Sequence, residues 1–253
     1  MRLLIILIMT MLMTGCVTER VGGDPSLEES KKSKKEQAEI RAQLAANYLQ
    51  REELKIALDE VEKALELDPT STSANYIMAL LQIRFKDKDK VDYYFRKAID
   101  GPEPLPNAQQ DYANYLCKQG DFKKAEKEFT ALHKNPIYPN KELVYLNEAE
   151  CYMRSRDFDK AEKSLRSALK ISPRLVPALY QMTVISFQSG NMLQTRAWYQ
   201  RYLDIGPDNP RILYIAYQTE TTLGDKDAAA SLAVRLRGKF PNSEQAQLLR
   251  GNR

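Results

Sequence analysis

The stretch Phe158-Asp159-Lys160-Ala161-Glu162-Lys163-Ser164-Leu165-Arg166-Ser167-Ala168-Leu169-Lys170-Ile171-Ser172-Pro173 decides the fold of this chain. Ala161, Leu165 and Ala168 follow one another at spacings of four and three, and Pro173 comes five residues later. Such spacings place side chains on one face of an α-helix. The proline closes that helix, because it has no N–H to donate to the preceding turn. The same figure stands at Ala57, Val61, Ala64 and Pro69. The two copies are 104 residues apart, three periods of 34 with two residues over. Filling in the intermediate copies gives six repeats, 38–71, 72–105, 106–139, 142–175, 176–209 and 210–243, with Asn140 and Lys141 as the two extra residues.

Other positions recur in register. The eighth residue of each repeat is small in five copies (Ala45, Ala79, Ala113, Ala149, Thr183) and Tyr217 in the sixth. A small side chain lets neighbouring helices approach closely. The twentieth is Ala57, Val91, Ala125, Ala161, Thr195 and Ala229. Gly120-Asp121, Gly190-Asn191 and Gly224-Asp225 mark turns between two helices. Glycine accepts the left-handed backbone that ends one helix, and Asp or Asn caps the next. Pro69, Pro173, Pro207 and Pro241 close second helices, and Pro102, Pro104, Pro136 and Pro139 lie near the same place in the other two copies. No long run alternates Val, Ile and Thr, so strands are not expected.

This pattern resembles the tetratricopeptide repeat, which has the same period and two helices per unit. It departs from that consensus in having no Trp at position 4; the lone Trp198 falls in a second helix, where packing is the expected role. The expected fold is all-α: a right-handed α-solenoid of six helix pairs over residues 36–250, closed by a short helix from Ser243 to about Arg250.

The chain opens differently. Met1-Arg2 is followed by an apolar run from Leu3 to Met13, broken only by Thr10. The run is shorter than the roughly 20 residues of a membrane span and has the length of a signal-peptide core. Thr14-Gly15-Cys16 then resembles a lipobox, with Met13 where Leu is usual. The expectation is a leader over 1–15 and a covalent lipid on Cys16, with no other cofactor. Val17 in place of Asp points to the outer membrane. Residues 16–35 carry Gly22-Gly23, Pro25 and Lys31-Lys32-Ser33-Lys34-Lys35 without apolar periodicity. They are expected to form a flexible tether. The lysines could meet anionic head groups, although a solvated linker is the simpler reading.

With 38 Lys and Arg against 34 Asp and Glu, the chain has no basic excess of the kind a nucleic-acid partner requires. His133 is the only histidine, which argues against a metal centre. No Gly-rich phosphate loop or nucleophile motif is present, so an enzyme is not expected. Cys117 and Cys151 lie at positions 12 and 10 of adjacent first helices, near one level. An oxidising periplasm would close such a pair; the alternative is two buried thiols.

By the tetratricopeptide pattern, positions 2, 5, 9, 12 and 13 of each first helix face a concave groove. These are Ala42, Ala46 and Leu49 in the first repeat, and Tyr76, Leu80 and Arg84 in the second. Gln110, Asn114 and Lys118 follow in the third, and Leu146, Met153 and Arg154 in the fourth. Tyr180, Phe187 and Gln188 come from the fifth and Tyr214 from the sixth. Amide, aromatic and basic side chains together suit an extended peptide.

Two stretches carry a narrower likeness. One is Asn114-Tyr115-Leu116-Cys117-Lys118-Gln119-Gly120-Asp121-Phe122, with Ala125, Phe129 and Pro136-Ile137-Tyr138-Pro139 after it. The other is Asp227-Ala228-Ala229-Ala230-Ser231, then Leu236 and Phe240-Pro241-Asn242-Ser243. With the lipobox and six repeats, they resemble the PilF/PilW family of type IV pilus biogenesis lipoproteins. The resemblance implies a pilotin-like protein on the periplasmic face of the outer membrane. Its partner would be the pilus secretin subunit, whose localisation, multimerisation or stability it would promote. The alternative is an adaptor for another envelope machine, in outer-membrane protein insertion or peptidoglycan synthesis.

Overall fold

The structure, a computed structural model, describes residues 25–136 and 138–251. The expected leader 1–15, Cys16 and the first part of the tether lie outside the described residues, as does Ile137 of the Tyr-Pro loop.

The described residues form helices in six pairs and a single last helix. The pairs are α1 (Pro25–Gln50) with α2 (Leu54–Leu67), α3 (Thr72–Phe85) with α4 (Lys88–Ile99), and α5 (Pro106–Gln119) with α6 (Phe122–Lys134). They continue with α7 (Lys141–Arg154) and α8 (Phe158–Ile171), α9 (Val176–Gln188) and α10 (Met192–Ile205), and α11 (Pro210–Leu223) and α12 (Lys226–Lys239). The last helix is α13 (Glu244–Gly251). None is long and apolar enough to cross a membrane.

Each turn inside a pair is built the same way. The fifteenth residue of every repeat has a left-handed backbone: Glu52, Lys86, Gly120, Arg156, Gly190 and Gly224. The sixteenth then starts the second helix. Asp87, Asp157, Asn191 and Asp225 accept a hydrogen bond from the backbone N–H three residues on, at 3.0–3.3 Å. Three of the six left-handed residues are not glycine, so sequence alone marked only half of these turns.

The small residues do what their spacing implies. Ala45, Ala79, Ala113, Ala149 and Thr183 are fully buried, as are Ala57, Ala125, Ala161 and Thr195. Each second helix rests on the first helix of the next pair, and α1 touches α3, α5 touches α7, and α9 touches α11. Among the described residues the second helices make at most marginal contact with one another, so the array is an all-α solenoid with its first helices on the inner side. Its core comprises three interlocking clusters, Ala42 to Leu81, Ala79 to Cys151 and Leu146 to Leu249; Tyr76, Leu80 and Tyr94 pack against both of the first two.

One expectation is corrected. The tether was expected to reach residue 35, but α1 begins at Pro25. Residues 29–37 are helical and exposed. Glu and Lys are good helix formers even where nothing packs on them, and this segment continues a helix already nucleated by the buried stripe Ala38, Ala42, Ala45 and Leu49.

Candidate protein-binding groove

The inner face is not one uniform trough. Its lining differs from repeat to repeat, and so does its accessibility.

At the first repeat the expected cradle is closed. Ala42 is 1 % exposed and Leu49 is 8 % exposed. Both sit in the core because α3 packs directly on α1 and covers positions 5 and 12. Ala46 is half-buried against the same cluster. Leu146, at position 5 of the fourth repeat, is likewise buried.

The second and third repeats fill their part of the face with their own side chains. The Tyr76 hydroxyl donates to the Asp111 carboxylate on α5. Burial first, and this bond second, push the Tyr76 phenol well above its ordinary range. Tyr138, from the loop before α7, folds in until it is 5 % exposed and donates its hydroxyl to Gln110. The loop that accommodates the extra two residues thus sends a side chain into the core. Leu80 is wedged between two core clusters. Arg84 is exposed and pairs with Glu52 at 3.1 Å. Asn114 is half-buried and Lys118 exposed.

The junction of the third and fourth repeats is cross-linked. Cys117 on α5 and Cys151 on α7 form a disulfide, with Cα atoms 5.6 Å apart. Close by, the His133 ring stacks on Tyr145 with centroids 4.1 Å apart. Its Nε2 lies 3.2 Å from the buried Glu148 carboxylate, which accepts a 2.7 Å bond from Ser164. This is a packed contact between helices. Among the described residues no group of three or more His, Cys, Asp or Glu is placed to hold a metal ion. Met153 is half-buried and Arg154 exposed at the end of α7.

At the fifth and sixth repeats the face opens. Tyr180 packs on Tyr202, with centroids 6.1 Å apart. Phe187, Gln188 and Tyr214, all expected in the groove, come together in a hollow of about 440 Å³. Val184, Ile215, Gln218 and Arg211 extend it, and Glu244, Gln245 and Leu248 of α13 form its third wall. Counted onward from the sixth repeat, Gln245 and Leu248 occupy positions 2 and 5. The last helix therefore stands where the first helix of a seventh pair would stand. In the sequence it reads as the short closing helix with which a solenoid covers its end.

A larger hollow of about 620 Å³ lies beside α4, between Tyr93, Lys97 and Pro102. It holds none of the groove positions, and its Arg96 is already bonded to Glu128 at 2.8 Å. The inner face at the C-terminal end is the better candidate for a partner.

Comparison with known proteins agrees with this architecture. The family model described as tetratricopeptide repeat matches residues 142–175. Over 235 residues the chain is 23% identical to the type IV pilus assembly protein PilF of Pseudomonas aeruginosa, covering 93% of this chain and 92% of that protein. The solved structure of Pseudomonas aeruginosa PilF superposes with a TM-score of 0.72 at 21% identity, covering 87% of this chain and 100% of the other. That of PilW, described as a widely conserved type IV pilus biogenesis factor, gives 0.68 at 23% identity, with 84% and 97% covered. A third, YrrB, described as having an unusual peptide-binding site, gives 0.56 at 20% identity over 75% of this chain and 96% of its own.

Proposed function

We propose, on the premise that this chain is a tetratricopeptide-repeat protein related to the PilF and PilW type IV pilus biogenesis factors, that it is a pilotin-like lipoprotein of the type IV pilus. It is held at the periplasmic face of the outer membrane by acyl chains on Cys16. Its inner face binds the pilus secretin subunit and promotes that subunit's localisation, multimerisation or stability. The observation that carries this reading is the end-to-end similarity to PilF, which spans nearly all of both chains.

The physical parts support it. Each buried CH₂ of an acyl chain adds about 0.8 kcal/mol of membrane affinity, so several chains on one residue anchor durably. Residues 17–24 and the exposed start of α1 set the folded array off from that anchor. Tethering two proteins to one membrane raises the effective concentration of each for the other. The solenoid supplies a long inner face.

The test is the level of secretin multimers in fractionated outer membranes, with and without the gene. Loss of multimers, or their retention at the inner membrane, is the expected result. Unchanged outer-membrane multimers would remove the pilotin role. In the same strains, Cys16→Ser should shift the chain out of the outer-membrane fraction in a density gradient.

A further inference from the structure

The outer side of the array carries its charge unevenly. On a second helix, positions 18, 22, 25 and 29 of the repeat lie opposite the buried stripe. In the third repeat these are Lys123, Lys127, Thr130 and Lys134, and in the fourth Asp159, Lys163, Arg166 and Lys170. All eight are exposed. In each of the other four repeats carboxylates outnumber cations at the same positions. A chain of nearly balanced charge thus collects its outward basic residues on two helices, α6 and α8, in the middle of the array. A contact of 3.0 Å from Lys160 to Glu126 joins the two helices beside this block.

The protein does not neutralise the block. Lys124 and Lys160, off the outer line of the same helices, pair with Asp92 and Asp121 and with Glu126. Among the described residues Lys123, Lys127, Lys134, Lys163 and Lys170 have no such partner. Lys123 and Lys127 are four residues apart on one helix, as are Arg166 and Lys170, so their charges repel in the folded chain. An opposing surface of negative charge relieves that repulsion.

From this placement we infer that the outer face of α6 and α8 docks on an anionic lipid surface. The side-chain types decide among anions. A lysine ammonium is a hydrated point charge on a flexible stem, whereas a guanidinium fork fixes one carboxylate or phosphate in place. Five of the six cations are lysines, and the one arginine, Arg166, is already held by Glu162 at 2.6 Å. The lysines of α6 run along about 16 Å of helix and point outward, so they surround no single ion. They face a sheet of charge, to which lysines add attraction one by one. The inference rests on the proposed membrane anchor, which holds the chain beside a bilayer, and it adds an orientation. The first helices line the inner side, so docking the opposite side turns the inner face away from the bilayer and toward the periplasm.

The test uses the full chain, purified from membranes, on vesicles of phosphatidylcholine alone or of phosphatidylcholine with phosphatidylglycerol. Lysines are acetylated briefly and read one by one by mass spectrometry. On the anionic vesicles, labelling of Lys127, Lys134, Lys163 and Lys170 should slow roughly threefold or more, and the protection should vanish in about 1 M salt, where the Debye length is about 3 Å. Lys118, exposed on α5 at the inner side, should label alike on both. Lys127→Glu combined with Lys163→Glu, at two exposed positions, should abolish the protection of Lys134 and Lys170, with the fold checked by a thermal melt. If that protein does not fold, Lys127→Gln with Lys163→Gln replaces it and should lose most of the protection. Equal labelling of the block on the two vesicles, or full protection in a folded double variant, would overturn the inference. So would protection by soluble polyglutamate with none by anionic vesicles, which would give this face to an acidic polypeptide. Flotation with neutral vesicles reports the acyl anchor separately. A chain that floats with anionic vesicles alone would remove the anchor and keep the docking face.

Discussion

The seam between the two helices of a repeat is polar at one end of the molecule and apolar at the other. It is formed by positions 4 and 23. In the first repeat Arg41 pairs with Glu60. In the third, Gln109 donates to Glu128 at 3.0 Å, and Arg96 of the preceding pair joins them at 2.8 Å. In the fifth and sixth repeats the same positions hold Leu179 with Trp198 and Leu213 with Leu232, all buried. The fourth is intermediate, with Ser164 bonded to Glu148 beside Tyr145. The same fold is thus made by two kinds of contact. A buried apolar contact needs only volume, whereas a buried carboxylate needs every partner in place.

The difference can be broken from either side, and the apolar end should give the larger effect. Trp198→Ala removes a large buried ring flanked by Arg166 and Arg201, with guanidinium-to-ring distances of 5.5 and 4.8 Å. It should cost about 3–5 kcal/mol of unfolding free energy, read by urea titration. The cross-link between the two halves comes next. Cys151→Ser should cost about 2–4 kcal/mol, through the 34-residue loop that the disulfide closes in the unfolded chain. A reducing agent should lower the melting temperature of the unmutated protein by a comparable amount and leave the serine variant unmoved.

The polar seam should yield less per residue. Glu128→Gln keeps the volume and loses the charge opposite Arg96, for about 1–3 kcal/mol. It should also respond to acid. Arg41, bonded to Glu60, holds that carboxyl below its ordinary value. Carboxyls whose folded pKa is depressed contribute stability above their unfolded pKa, near 4, and lose it as pH falls through the folded one. Melting temperature should therefore fall as pH drops below about 4, and less steeply in Glu60→Gln. The smallest effect has the opposite sign. Arg156 has a left-handed backbone at φ 62° with no glycine to ease it. Arg156→Gly should stabilise the protein by about 0.5–1 kcal/mol, because the left-handed strain relieved exceeds the entropy glycine adds to the unfolded chain.

How much of this was legible follows from what repeats and what does not. Ala57, Ala161 and their prolines lie in register, so the helix pairs could be read directly from spacing. The turns at Glu52, Lys86 and Arg156 could not, because tertiary packing there imposes a backbone that those residue types do not advertise. The seam was half legible. The absence of Trp at position 4 was plain, but that Trp198 sits opposite that position, and that Arg41–Glu60 and Gln109–Glu128 replace it elsewhere, required both helices in place. The groove divided the same way. Phe187, Gln188 and Tyr214 line an open hollow, as position predicted. Ala42 and Leu49 share their register but lie under α3, and Tyr76 and Gln110 are engaged by Asp111 and Tyr138. Periodicity says which way a side chain points and is silent on what already stands there. Gln245 and Leu248 take groove positions 2 and 5 once the register is carried past residue 243, and were missed because their helix reads as a cap.

The most direct test of the central claim, that the inner face binds the pilus secretin, is co-purification of secretin with the tagged full chain from detergent-solubilised envelopes. Unmutated protein should bring secretin down, and Tyr214→Ala, with its fold confirmed by circular dichroism, should bring down far less. Secretin absent from the unmutated capture, or recovered equally with the variant, would contradict it.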